Sequence, residues 1–324
     1  LFISTATSTI DEEKRKKQEN ALFHYTDESG LYGILETQTL WMTHFAYLND
    51  NKEVKHFLED LSTGFPGFFF ELFKLYRLSE FTELFEKQAT NPERDKELQQ
   101  LSKEMDNFLE TAAPFIVSFC KHDPGSYAFL NGDLSMWRAY GQTGGYALVL
   151  SEAGLKKIIE NEQDVFHYLK DPAIFRIEYD LHEKPSTWID EKIKRILVKN
   201  KDCAVEEKKT MQKIHFTEEA YKYKHEAFAQ ENETRIAAWI KISKEQKRGF
   251  EDLRPKEINF RCTDKIPYLI FNETPFGELP IEKIIVGPHP LQNDREKKLK
   301  DWLNMNGRKI EVAKSNTPLV VRVK

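Results

Sequence analysis

Along the first fifty residues, apolar and polar positions change in short blocks rather than in long periods. Leu22–Thr26 (LFHYT) reads as a compact strand, and Leu40–Thr43 (LWMT) as a second one. Between them Leu31, Ile34 and Leu35 stand at helical spacing, which predicts a short amphipathic helix over Ser29–Leu35. A loop follows over Tyr47-Leu48-Asn49-Asp50, and the pattern then changes. Residues 51–112 are rich in Glu, Lys, Leu and Phe, with breaks at Gly64 to Gly67 and at Asn91-Pro92, and predict a helical insertion. Its Phe68, Phe69, Phe70, Leu72, Phe73 and Leu75 are expected to pack partly on a β-rich body. Exposed, such a run would be an association surface, which leaves a homodimer open.

Phe115–Cys120 (FIVSFC) and Tyr146–Leu150 are near-continuous apolar runs and predict buried strands. Leu134–Tyr140 between them reads as a short helix or turn, and Gly141 to Gly145 as a turn. Residues 190–225 are charged and read as a second helical segment. Further strands are expected over Ile236–Ile242, Ile281–Gly287 and the tail 309–324, with a helix over Asp294–Asn304. Residues 1–20 read as a polar tail or short helix preceding a single domain over 21–324. Short strands with unevenly placed helices predict an α+β fold rather than a doubly wound sheet.

Composition narrows the classes. In 324 residues, 48 Lys and Arg face 53 Asp and Glu, net −5, so no broad basic field exists for duplex nucleic acid. With 40% hydrophobic and 12% aromatic residues the chain can build a sizeable core and is not a disordered one. Three scattered cysteines argue against a disulfide framework and predict a reducing, cytoplasmic setting. No apolar run approaches the roughly 18–20 residues of a membrane span, so no membrane partner is expected. Rossmann, P-loop, zincin and serine-hydrolase signatures are missing. Cys120-Lys121-His122 offers two soft ligands without a second pair at zinc-like spacing, so no metal is expected. Asn49, Asp50 and Glu53 are better explained by turn chemistry than by a cation.

Three motifs carry candidate chemistry. In His24-Tyr25-Thr26, strand alternation sends His24 and Thr26 one way and Tyr25 the other. A neutral imidazole beside a hydroxyl can grip ribose hydroxyls, and a tyrosine ring can face a base; the alternative is a hydrogen-bonded core histidine beside a space-filling ring. In Gln230–Arg235 (QENETR), an extended backbone puts Glu231, Glu233 and Arg235 on one face. Two carboxylates so crowded suit the stabilisation of a cationic sugar and the activation of a nucleophile, unless they are simply a charged helix face. In Ser135–Gly141 (SMWRAYG), Trp137, Tyr140 and Arg138 can clamp a planar base and a phosphate, or pack the core.

The order of these motifs resembles domain-of-unknown-function family 2971, whose pattern is a His-Tyr-Thr start, Leu-Asn-Asp-x-x-Glu, Ser-x-Trp-x-x-Tyr and a late Glu-x-Glu-x-Arg. The likeness covers residues 22–324. Thr234 stands where that family usually has Trp, on the face away from the carboxylates. A His-x-Thr strand, mid-chain aromatics and a late Glu-x-Glu are also similar to the split-sheet ADP-ribosyltransferases. That resemblance implies a split β-sheet core and cleavage of the nicotinamide–ribose bond of NAD, by transfer or by hydrolysis. It implies Glu233 as the catalytic carboxylate and Glu231 as the residue orienting the acceptor. For the cofactor it implies His24, Tyr25 and Thr26, with Trp137 or Tyr140 as an aromatic wall and Arg138 and Arg235 beside the phosphates. The acceptor would be a protein, a nucleic acid or water, and a toxin or phage-defence role would suit such an enzyme. Two alternatives stay open: a non-catalytic binding module, and an RNA 2′-phosphotransferase-like enzyme on the same fold.

Overall fold

A computed structural model describes residues 18–48, 113–141, 144–179, 218, 221–240, 253–261, 263, 265–273 and 277–318. The expected insertion over 51–112, most of the segment 190–225 and most of the polar N-terminus lie outside the described residues.

The described part is a mixed α/β structure with one large, open sheet and helices on both of its faces. In chain order its main elements are β1 (Ala21–Thr26), α1 (Glu28–Thr37), β2 (Leu40–His44), β3 (Phe115–Cys120), α2 (Tyr127–Asn131), α3 (Leu134–Tyr140), β4 (Tyr146–Ser151) and α4 (Glu152–Gln163). They continue through β5 (Phe166–His167), β6 (Lys170–Arg176), β7 (Glu178–Tyr179), β8 (Tyr223–Lys224) and β9 (Glu233–Trp239). The last are β10 (Arg254–Pro255), β11 (Asn259–Arg261), β12 (Ile266–Phe271), β13 (Ile281–Val286), α5 (Gln292–Met305) and β14 (Glu311–Lys314). Local signals explain several boundaries. The Asp27 carboxylate accepts the Gly30 amide and starts α1, and Asp133 does the same for the Ser135 and Met136 amides of α3.

Strand β3 organises the sheet. One edge pairs antiparallel with β9 over its whole length, from Phe115 opposite Ala238 to Cys120 opposite Glu233. The other edge is shared. β2 takes its first residues, Phe115 and Ile116, and β1 takes only its last, with Phe23 opposite Cys120. The sheet therefore divides along Val117, Ser118 and Phe119. One arm runs through β1, β4, β13 and β14, the other through β2, β12 and β11.

The two faces carry two cores. Leu22, Val117, Phe119, Leu148 and Ile236 meet Leu31 and Leu35 of α1, Leu155 and Ile158 of α4, and Leu299 and Leu303 of α5 on one face. Phe23, Tyr25, Cys120, Val149 and Ile285 meet Met136 and Trp137 of α3 on the other. The apolar runs at Phe115–Cys120 and Tyr146–Leu150 are continuous for this reason: both sides of those strands are covered.

Several expectations are corrected. The strand predicted from Ile236 begins at Glu233 and ends at Trp239. Glu231 does not share it, because Glu226–Glu231 forms a 3₁₀ helix and Asn232 turns the chain at φ 43°. Asn tolerates that left-handed conformation, and its side-chain amide donates to the Lys121 carbonyl at 2.7 Å, which fixes the turn. Tyr223–Lys224 is a strand paired parallel with β7, not the end of a helix. Among the described residues of the tail, Glu311–Lys314 is a strand pairing parallel with β13 and residues 315–318 are irregular; the rest of the expected strand lies outside the described residues.

A buried ionic knot ties α4 to the β10–β12 region. Lys256 donates to Glu162 Oε1 and Oε2 at 3.0 and 3.1 Å, with both side chains fully buried. Glu162 also accepts the Asn272 amide at 2.7 Å and the Tyr168 hydroxyl. Removing one partner of such a pair leaves an uncompensated buried charge. Lys256→Ala is expected to lower stability by about 3–5 kcal/mol in urea titrations. The double variant Glu162→Gln with Lys256→Met should recover much of that loss.

Candidate active site

The carboxylate of Glu233 leaves the start of β9 on the face of Cys120 and Phe23, its partners across β3 and β1. Arg235, two residues on, grips it with two bonds, Nε to Oε1 at 2.7 Å and a terminal nitrogen to Oε2 at 2.9 Å. The same guanidinium donates to the Tyr221 carbonyl at 3.0 Å. Lys224 reaches Glu233 Oε2 at 3.3 Å and Glu231 Oε2 at 2.8 Å. The Glu233 amide donates to the Tyr179 hydroxyl at 2.9 Å. Burial works to raise the Glu233 carboxyl, but the Arg235 guanidinium, with Lys224 and the Ser118 hydroxyl, overrides it and brings the group down to about 2. Glu233 is thus a charged, almost wholly buried carboxylate at neutral pH. Glu231 is more open, its side chain 24% exposed.

His24 lies where β1 and β2 part. Its Nδ1 is 3.0 Å from the Ser118 carbonyl, which can only accept, so Nδ1 carries the proton. Burial lowers the pKa of the ring, the carbonyl bond opposing it. The neutral imidazole therefore presents Nε2 as an acceptor. Its ring is 5.6 Å from Phe119, on the face that also carries Thr234. His24 and Glu233 thus do not share a face. They approach from the two edges of β3 and meet through Ser118, whose backbone carbonyl holds one and whose hydroxyl holds the other.

The remaining candidates separate by exposure. Tyr25 is buried; its hydroxyl accepts the Asp133 amide and lies 2.8 Å from His122 Nε2. Trp137 is buried against it, ring centroids 4.9 Å apart, and its indole N–H donates to the Asn131 carbonyl at 3.0 Å. Neither presents a ring to a cleft. Gly287 and Gly132 make room for that indole: a Cβ on Gly287 would stand 2.6 Å from the Gly145 carbonyl oxygen and 3.0 Å from the Trp137 ring, and Gly132 adopts φ 74°. Tyr140 is 46% exposed. Burial of its phenol, followed by the Glu231 and Glu233 carboxylates, raises its pKa; it is an accessible ring near the carboxylates, as is Phe228, whose ring lies 4.6 Å from Lys224 Nζ. Thr26 is half-buried against Gly30, and Arg138 is exposed on α3. Arg235 is buried and committed to Glu233 and Tyr221.

Three contributors had no sequence signal of their own: Lys224, Ser118 and Tyr179. Lys224 fell within a run of charged residues, and Ser118 was one polar position in an apolar strand. Ser118 takes its role from the pairing of β3 with β9, and Lys224 and Tyr179 from side-chain bonds to the start of β9.

Residues 136–236 match the family described as "Protein of unknown function (DUF2971)". The match spans α3 to the first half of β9 and so includes Tyr140, Lys224, Glu231 and Glu233. No curated protein and no solved structure matches the chain. Among the described residues no helix is long and apolar enough to cross a membrane.

Glu233 generates a pH prediction. Its folded pKa of about 2 lies below the ordinary 4.5, so its contribution is fully present above pH 4.5 and is lost as pH falls through the folded value. The loss is on the order of 3 kcal/mol. Urea midpoints measured between pH 6 and pH 2.5 should fall in the parent, and Glu233→Gln should flatten the acid part of that profile.

Proposed function

We propose that the chain is an NAD-dependent ADP-ribosyltransferase or NAD glycohydrolase on a split-sheet core. The observation that supports this reading is that His24 and Glu233, from distant parts of the sequence and opposite faces of the sheet, are both bonded to Ser118, one to its carbonyl and one to its hydroxyl, beside the parting of the strands. A neutral histidine acceptor and an ionised carboxylate next to a parting of the sheet are what a ribose ring flanked by a departing cationic base requires.

In this reading His24 Nε2 accepts a ribose hydroxyl and the exposed ring of Tyr140 stacks on the nicotinamide. The C1′–N bond breaks with its electron pair leaving on nicotinamide, and positive charge develops on the ribose. Glu233, ionised and aligned by Arg235, stabilises that charge and accepts the 2′-hydroxyl. Of its cationic partners Lys224, at 3.3 Å, is the one held more loosely and the one a hydroxyl would displace. Glu231 orients the acceptor and takes its proton. Arg138, exposed on α3, is the side chain available to the pyrophosphate.

One observation favours the binding-module reading: Glu233 is buried and doubly bonded to Arg235, as a structural ion pair would be. The two readings differ in nicotinamide release. Under the enzyme reading, Glu233→Gln lowers release by about 10²–10³-fold with NAD binding largely kept. Glu231→Gln spares hydrolysis more than transfer, and His24→Ala mainly weakens NAD binding. Release is measured with protein, DNA and RNA acceptors present and binding by calorimetry; absence of both across that panel would leave only the binding module.

A further inference from the structure

The face of the sheet that carries Glu233 and Arg235 does not end at β3. Thr43 of β2 lies opposite Ile116, on the side of β3 shared by Ser118 and Cys120. Trp41 is on that side too, opposite Ile270, and Tyr268 lies opposite Thr43. Arg261 of β11 joins them, opposite Ile266. One face of the sheet therefore runs from β11 through β12, β2 and β3 to Glu233 on β9, buried along Thr43, Ile116 and Arg235 and open at Trp41.

On this surface the side chains are arranged unlike those of an ordinary sheet edge. Trp41 is 47% exposed and stacks with Tyr268, centroids 4.5 Å apart and planes 31° apart. The Arg261 guanidinium is 5.5 Å from the indole and is steadied by a 2.9 Å bond to the Thr43 hydroxyl. Among the described residues it meets no carboxylate. Lys265 is exposed in the turn that leads into β12. Leu40, Met42, Leu269 and Phe271 point the other way, into the core, so the outward aromatics are not needed to hold the strands.

We infer that this face binds single-stranded nucleic acid, with bases stacked on Trp41 and Tyr268 and phosphates on Arg261 and Lys265, and that it delivers the acceptor to Glu231. The second half rests on the transferase reading; the first does not. Aromatic side chains on an open sheet take unstacked bases of any sequence, and a stacked guanidinium supplies charge without a broad basic field. Net −5 excludes duplex binding by field alone but not this local arrangement. A duplex hides the base faces that the platform would use.

The test is fluorescence anisotropy of labelled 12-nucleotide DNA and RNA single strands and of their duplexes, on the full chain. The parent should bind at least one single strand more tightly than its duplex. Trp41→Ala should weaken that binding roughly tenfold or more, and Trp41→Phe should restore most of it. Arg261→Gln should weaken it and flatten its salt dependence. Melting curves check that these surface variants fold. The single strand that binds should also raise nicotinamide release in the parent and not in Trp41→Ala. Single-strand binding lost in Trp41→Ala, without nicotinamide release from any protein, would uphold the platform and sink the transferase reading. Nicotinamide release without single-strand binding, or equal binding by Trp41→Ala, would overturn the platform.

Discussion

Everything at the candidate site depends on the edge of β3 that two strands divide between them. A strand inside a sheet normally satisfies its carbonyls with the backbone of one neighbour. Here β2 and β1 each take an end, and the Ser118 carbonyl between them is held by an imidazole instead. That substitution fixes the tautomer of His24 and leaves its other ring nitrogen as the acceptor, while burial keeps the ring neutral. On the opposite edge the unbroken pairing with β9 fixes Glu233 relative to the same residue. A gap in one ladder and continuity in the other bring the two groups together.

The electrostatics of the site follow from burial rather than from the number of charges. Two carboxylates and two cations form a compact, formally balanced group. An isolated carboxylate buried as deeply as Glu233 would take up a proton. The two-point grip of Arg235 prevents this, and its geometry is only available because residues two apart on a strand share a face. The same grip supplies a rigid electrostatic stabiliser in the enzyme reading and a structural tie in the binding reading.

The two faces of the sheet divide the labour. One is filled by α1, α4 and α5 and holds the main core. The other is covered by α3 near Trp137 but exposes Trp41 further along. This division explains why His-Tyr-Thr contributes as it does: alternation buries Tyr25 under α3 and turns His24 to the other side, at the parting of the strands.

Local pattern sufficed for the mixed α/β character, the strands at residues 22–26, 115–120 and 146–150, the helix before Asn306 and the list of residues with candidate chemistry. These are written in local periodicity, which short-range sterics and burial impose directly. It also supplied Glu233 and Arg235 as face-sharing residues, since that follows from strand alternation alone. It could not show that Glu231 leaves the strand through a left-handed Asn232, that Lys224 bridges both carboxylates, or that Trp137 is a buried core ring while Tyr140 is accessible. Nor could it show that Trp41, Tyr268 and Arg261 form one patch. Those facts are set by strand register and by which helix covers which face. Register is a relation between segments far apart in the chain, and no local pattern encodes it.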